Sequence, residues 1–147
     1  MKVVVDTNVL VSGLVFGGVP GQILTAWTSS AFVLVVSPSI LSEYRRVGRE
    51  LAKGRPALDA ALDALLALLA VHATVVDALP LDAPVSADSD DEQFLAAALA
   101  GDAAWMVSGD KNLLAVFGWS GITVLKPRAF LDATVRSHRG TAKPGYR

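Results

Sequence analysis

The chain has 147 residues, 52% hydrophobic and 18% charged, with no cysteine and a formal net charge of −1. That much apolar material builds a core and excludes a disordered chain. The missing thiols exclude disulfides and thiolate metal sites, and the near-neutral total excludes a uniformly basic nucleic-acid binder. The charge is nonetheless split. Residues 77–110 hold eight acids and no base, whereas residues 112–147 hold six Lys or Arg against one acid, Asp132.

The run KVVV at residues 2–5 predicts a strand buried on both faces, as in a parallel sheet. It stops at Asp6, followed by Thr7 and Asn8. Asp6 is either the N-cap of the next turn or an acid placed where open α/β sheets bind ligands, at the carboxyl end of a strand. No signal-peptide architecture precedes this strand, so a cytoplasmic protein is expected. A helical stretch over residues 7–14 follows. FGGVPG at residues 16–21 reads as a flexible connector, since it lacks the phosphate-cradling G-x-x-x-x-G-K-[ST] pattern. A helix over 20–29 has Pro20 in its first turn.

Residues 32–36 predict the second strand. Ser37-Pro38-Ser39 then caps a helix to residue 53, with Glu43 one turn in and Arg45, Arg46, Arg49, Lys53 and Arg55 after it. Pro56 separates this helix from a leucine-rich one over 57–72, which is too short and too acidic to span a bilayer. Leu58, Leu62, Leu65, Leu66 and Leu69 form its stripe. Leu68 and Val71 fall outside it, so the helix is either deeply buried or packed against a second copy in a homodimer.

A third strand is predicted over 73–76, then an acidic loop over 77–90 containing Pro80 and Pro84. Asp91 opens a helix that ends at Gly101. The fourth strand spans 104–107 and runs into Ser108-Gly109-Asp110. A helical turn over 111–116, a fifth strand over 122–125 and a helix to residue 137 complete the pattern. This alternation predicts an α/β fold, a central parallel sheet of about five strands with helices on both faces. One domain is expected over 1–138, with a basic tail over 139–147.

Right-handed crossovers place strand ends and the starts of following helices on one rim. Asp6, Glu43, Asp91 and Asp110 therefore converge. Four carboxylates in one cleft repel each other and raise their own pKa values. A hard divalent cation, Mg²⁺ or Mn²⁺, resolves this with oxygen ligands. Zinc does not fit, because His72 and His138 are the only histidines and lie far from the acids in sequence.

Asp6-Thr7-Asn8-Val9-Leu10 after a Val-rich strand resembles the opening motif of the PIN-domain ribonucleases. Glu43 in PSILSEY, Asp91 in DEQFLAAALA and Asp110 in VSGDKNLL are similar to the family's other acidic positions. The resemblance runs from about residue 1 to residue 130, and the order and spacing agree. The nearest subgroup is similar to the VapC toxins of toxin–antitoxin pairs.

The resemblance implies a three-layer fold and a metal-dependent endoribonuclease held inactive by a small antitoxin protein. It also implies roles. Asp6, Asp91 and Asp110 would ligate the metal, and Glu43 would act on the attacking water. Thr7, Asn8, Ser108 and Asn112 would orient the acids, or serve only as turn and capping residues. Arg45, Arg46 and Lys111 would contact phosphate. Asn112 departs from the pattern, standing where a further acid often sits, and so adds no charge for a second ion. Asp88 and Asp90 rival Asp91; the spacing to Phe94 favours Asp91.

Other classes are weighed against this. A haloacid-dehalogenase-like phosphatase needs Asp where Asn8 stands. A receiver-like phospho-acceptor needs an acid at the end of the third strand, where only Asp77 is near. A non-catalytic RNA- or protein-binding PIN-like module would keep the acids for structure.

Overall fold

The computed structural model describes residues 1–142, with side chains described up to Thr134. Among these residues are five strands: β1 (Lys2–Val5), β2 (Val33–Val36), β3 (Thr74–Val75), β4 (Trp105–Val107) and β5 (Thr123–Leu125). Seven α-helices connect and follow them: α1 (Thr7–Phe16), α2 (Gly18–Thr28), α3 (Pro38–Ala52), α4 (Pro56–His72), α5 (Glu92–Ala100), α6 (Lys111–Leu114) and α7 (Pro127–Ala142). The strands form one parallel sheet in the order β3-β2-β1-β4-β5. The predicted α/β architecture, a central parallel sheet of five strands with helices on both faces, is therefore the observed one.

β1 occupies the middle. Val3 pairs with Leu34 on one side and Trp105 on the other, and Val5 pairs with Val107. Successive strand residues face opposite sides, and Val3, Val4 and Val5 are all buried, so helices cover both faces. The chain moves from β1 outward through β2 to β3, then returns to β4 on the other flank. The sheet thus has a switch point between β1 and β4, and the crevice outside the carboxyl ends opens there.

The helices follow from their apolar spacing. In α3 the buried positions are Ile40, Tyr44, Gly48 and Ala52, every fourth residue, with Ser37 accepting from the Ile40 amide as N-cap. In α4 four residues of the predicted stripe, Leu62, Leu65, Leu66 and Leu69, are buried and the fifth, Leu58, is half-buried, while Leu68 and Val71 stay exposed. Arg49 of α3 ties to Asp59 and Asp63 of α4. Among the described residues no single helix is long and apolar enough to cross a membrane.

Several boundaries differ from the sequence reading. The predicted connector over 16–21 is a single residue, Gly17, and Gly17 (φ 71°) and Gly18 (φ 60°) both take the positive φ that glycine adopts without strain. α1 runs on to Phe16 and α2 begins at Gly18, because Pro20 falls in a first turn whose amides need no intrahelical acceptor. The predicted turn over 111–116 is helical only to Leu114. α7 continues through Ala142 rather than ending at residue 137. Of the expected basic tail, residues 143–147 lie outside the described residues.

α1 and α2 cross where Gly13 meets Pro20. A Cβ at Gly13 would lie 2.8 Å from the Pro20 carbonyl oxygen and 3.0 Å from Leu24 Cδ1. Backbone cannot retreat as a flexible side chain can. Gly13→Ala is therefore expected to destabilise the fold by about 1–3 kcal/mol of overpacking, less the roughly 1 kcal/mol that Ala gains in a helix. Gly109→Ala, where nothing lies within 4 Å, serves as control. Urea midpoints check this: a lower midpoint for Gly13→Ala alone, at unchanged slope, is the expected result.

Candidate active site

Asp6 ends the central strand and is 5% exposed. It occupies the N-cap position of α1, yet its side chain makes no capping hydrogen bond. Oδ2 instead accepts from Ser108 Oγ at 2.7 Å, across the β1/β4 switch point. Ser108 is fully buried, and its Oγ also accepts from the Asp110 amide at 2.9 Å. One hydroxyl therefore fixes Asp6 and the loop that carries Asp110. Asp110 does cap its helix, with Oδ1 accepting from the Asn112 amide at 2.8 Å. Asn112 thus takes part through its backbone.

Glu43 enters from α3. It lies next to Tyr44, which is on the buried face, and so reaches the rim. Thr7 Oγ1 donates to Glu43 Oε2, and Gln93 Nε2 donates to Oε1 at 3.1 Å. Arg46, one turn on, stands 3.7 Å from the same Oε1. The Tyr44 hydroxyl donates to the Val5 carbonyl, just ahead of Asp6.

The acidic loop delivers the remaining carboxylates. A 3-10 turn over Ser89–Asp91 precedes α5, so Asp91 sits just ahead of the α-helix it was expected to open. Glu92 accepts from the Val85 and Ser86 amides at 2.8 and 3.1 Å and closes the loop on itself. Ser86 Oγ donates to Asp91 Oδ2 at 3.2 Å. Asp91 is 5% exposed. Asp88, Asp91 and Asp110 each bring one oxygen within 4.8 Å of the others.

A cavity of about 170 Å³ gathers this set, with Asp6, Glu43, Asp88, Asp91 and Asp110 in its wall. All four predicted acids line it. So do Thr7, Asn8, Arg46 and both rivals of Asp91, of which Asp90 is exposed. Arg45 and Lys111 are exposed and do not line it. Sequence reasoning did not single out Tyr44, Ser86, Glu92 or Gln93. Tyr44 could have been found from the four-residue stripe of α3. The loop partners gave no periodic signal.

The electrostatics follow from burial and crowding. Asp91 is pushed up from 3.8 to about 6, first by burial and then by the Asp110 charge, against the Ser86 hydrogen bond; Asp88 and Asp6 add to the rise. Asp6 is raised first by burial, opposed by the Ser108 bond, with Asp110 adding to the rise. The donor set is all oxygen. His72 is exposed at the end of α4, beside Trp27 in a separate cavity, and His138 lies beyond the described side chains. Crowded carboxylates with no soft ligand suit a hard divalent cation.

A carboxyl whose folded pKa is raised binds more protons folded than unfolded, so stability falls as pH rises through that window. Without metal, stability should drop between about pH 4 and pH 6 on account of Asp91. Asp91→Asn keeps the acceptor for Ser86 and removes the charge. It should melt higher than wild type in chelator at neutral pH and show a flatter pH profile. Thermal melts across pH 4 to 8 decide this; an Asp91→Asn variant that melts lower in chelator would place Asp91 outside the repulsive cluster.

Comparison with curated proteins returns no match. The family model for the PIN domain matches residues 2–112, about three quarters of the chain, and spans every carboxylate described above. On that match, and on the parallel sheet that carries it, the chain belongs to the PIN domain family.

Proposed function

We propose that this protein is a Mg²⁺- or Mn²⁺-dependent endoribonuclease. PIN domains are typically metal-dependent nucleases. The observation that carries the reading is the convergence of Asp6, Asp88, Asp91 and Asp110, with Glu43, on one cavity at the β1/β4 switch point. Asp6, Asp91 and Asp110 would hold the cation, and Asp88 joins them as a fourth candidate ligand. A bound divalent ion supplies neutralisation of phosphate charge and a lowered pKa for water.

The remaining work falls to the chain's own groups. Ser108 and the Asn112 amide hold Asp6 and Asp110 in the wall of the same cavity. Glu43 has one oxygen engaged by Thr7 and the other by Gln93. A carboxylate offers about four lone-pair sites, so it can still accept a proton from a water aimed at phosphorus. A new P–O bond forms to that water oxygen, the P–O3′ bond breaks, and the 3′ oxygen leaves as a hydroxyl after protonation. The products are a 5′-phosphate and a 3′-hydroxyl. Arg46 at the cavity wall, with the exposed Arg45 and Lys111, supplies phosphate contacts.

The similarity of the opening motif to VapC toxins supports a place in a toxin–antitoxin pair, with a small protein antitoxin as partner. A homodimer through α4 would cover the exposed Leu68 and Val71.

Asp6→Asn and Asp110→Asn are expected to lower Mn²⁺-dependent RNA cleavage about a thousandfold each, since positioning the cation contributes several kcal/mol to the transition state. Asn at position 110 still caps its helix, and Asn at position 6 keeps an oxygen that can accept from Ser108, so both variants should fold. Near-wild-type cleavage by either at saturating Mn²⁺ would overturn the assignment. Arg45→Ala with Arg46→Ala should weaken RNA binding and reduce the salt slope by about one unit per lost phosphate contact. An unchanged slope would return both arginines to an ordinary solvated helix face.

A further inference from the structure

A second cavity, of about 390 Å³, opens beside the carboxylate centre. The two share Asp6, Asn8 and Asp110 in their walls, so they adjoin, with the two acids at the border. The first chamber, about 170 Å³, accommodates ions, water and a phosphate. The second reaches the lower range of small-ligand pockets, about 300–1,000 Å³. Its far walls are Val9 and Ser12 of α1, Pro20 of α2 and Pro127 at the start of α7.

We propose that this second chamber seats one nucleotide of a single-stranded RNA, next to the phosphate held at the carboxylates. The choice of RNA as occupant rests on the nuclease reading above. The chemistry of the walls fits a sugar and base. Pro20, Pro127 and Val9 present flat or compact apolar surface, and neither proline has an amide hydrogen to satisfy. Ser12 adds one hydroxyl, able to donate or accept.

Charge favours the same occupant. Lys126 and Arg128 flank Pro127, Lys111 follows Asp110, and all three are exposed. No acid occurs from residue 111 to residue 131. On α3, Arg46 lines the carboxylate cavity, and Arg45 beside it in sequence is exposed. Cations thus lie on both sides of the acidic junction, where successive phosphates of a strand passing through would meet them. A base seated in a chamber of this size has left its stack, which single strands allow at least cost.

The test is binding, measured on the full chain at low salt in excess Ca²⁺, so that a cation offsets the carboxylate charge while Mn²⁺-dependent cleavage is withheld. The probe is a fluorescein-labelled six-nucleotide oligouridylate, followed by anisotropy, with amide shifts mapped on isotope-labelled protein. The expected result is that shifts appear at Ser12, Gly109, Lys111 and Arg128. Ser12→Trp, which fills the chamber, should raise Kd about tenfold or more. Should Ser12→Trp fold poorly, Lys126→Glu with Arg128→Glu changes only exposed positions and should weaken binding to a similar degree. Shifts confined to α3, or unchanged affinity in folded variants of both kinds, would overturn the proposal. The two readings fail separately. Binding in the chamber without Mn²⁺-dependent cleavage supports the seat and sinks the nuclease; cleavage with binding that ignores the chamber does the reverse.

Discussion

Everything at the candidate site hangs on β1 being the innermost strand. With β2 on one flank and β4 on the other, its backbone has no freedom to shift, and the residue after Val5 must emerge at the switch point. That residue is an acid. Burying it costs free energy, and the neighbouring strand supplies the offset: Ser108, at the matching end of β4, gives Asp6 a hydroxyl donor where solvent cannot reach. The Asp6 amide donates to the Val107 carbonyl at 2.9 Å, so the ladder extends one rung past the strand and into the site. Tyr44 secures the same turn from the helix layer through the Val5 carbonyl.

The carboxylates are oriented without being neutralised. Asp6 takes its bond from a serine, Glu43 from a threonine and a glutamine, Asp91 from a serine, and Asp88 and Asp110 from backbone amides. Among the described residues, the ion pair at these acids is that of Arg46 with Glu43, at the rim. Neutral donors set direction while leaving the negative potential intact, and low local dielectric makes that potential strong. This is the electrostatic state in which a small cation gains most on entry. It also explains why burial and like charge lead the causes of the raised Asp91 and Asp6 values.

The sheet, its parallel sense and the rim of acids were legible in the sequence because they rest on strong local signals. A β-branched run ending in Asp6, a Ser-Pro cap before Glu43 and a Ser-Gly-Asp step at Asp110 each mark a strand end. Asp88 was harder to see. A loop with two prolines shows no period, yet its last turn is 3-10, and three residues per turn bring positions i and i+3 to one side. Asp88 and Asp91 stand in that relation, so they face the site together. Glu92 stands where the helix dipole favours any first-turn acid, but its carboxylate folds the loop back by capturing two amides. The length of α1 was missed for a different reason: two adjacent glycines at positive φ, Gly17 and Gly18, turn the chain, where six residues of turn-like composition suggested a longer connector.

The ends of the sheet carry a consequence of their own. β3 is two residues long and β5 three, so each margin offers only a few unpaired peptide groups. Short margins deny a neighbouring chain the row of donors and acceptors that strand addition needs. The sheet is therefore a poor template for growing a larger one, despite a valine-rich interior that would serve that purpose if laid bare. Copies that associate would have to meet through helix surfaces, where side-chain shape rather than backbone pairing selects the partner. A protein with an acidic cleft at one end of its sheet thereby keeps its lateral edges out of molecular recognition.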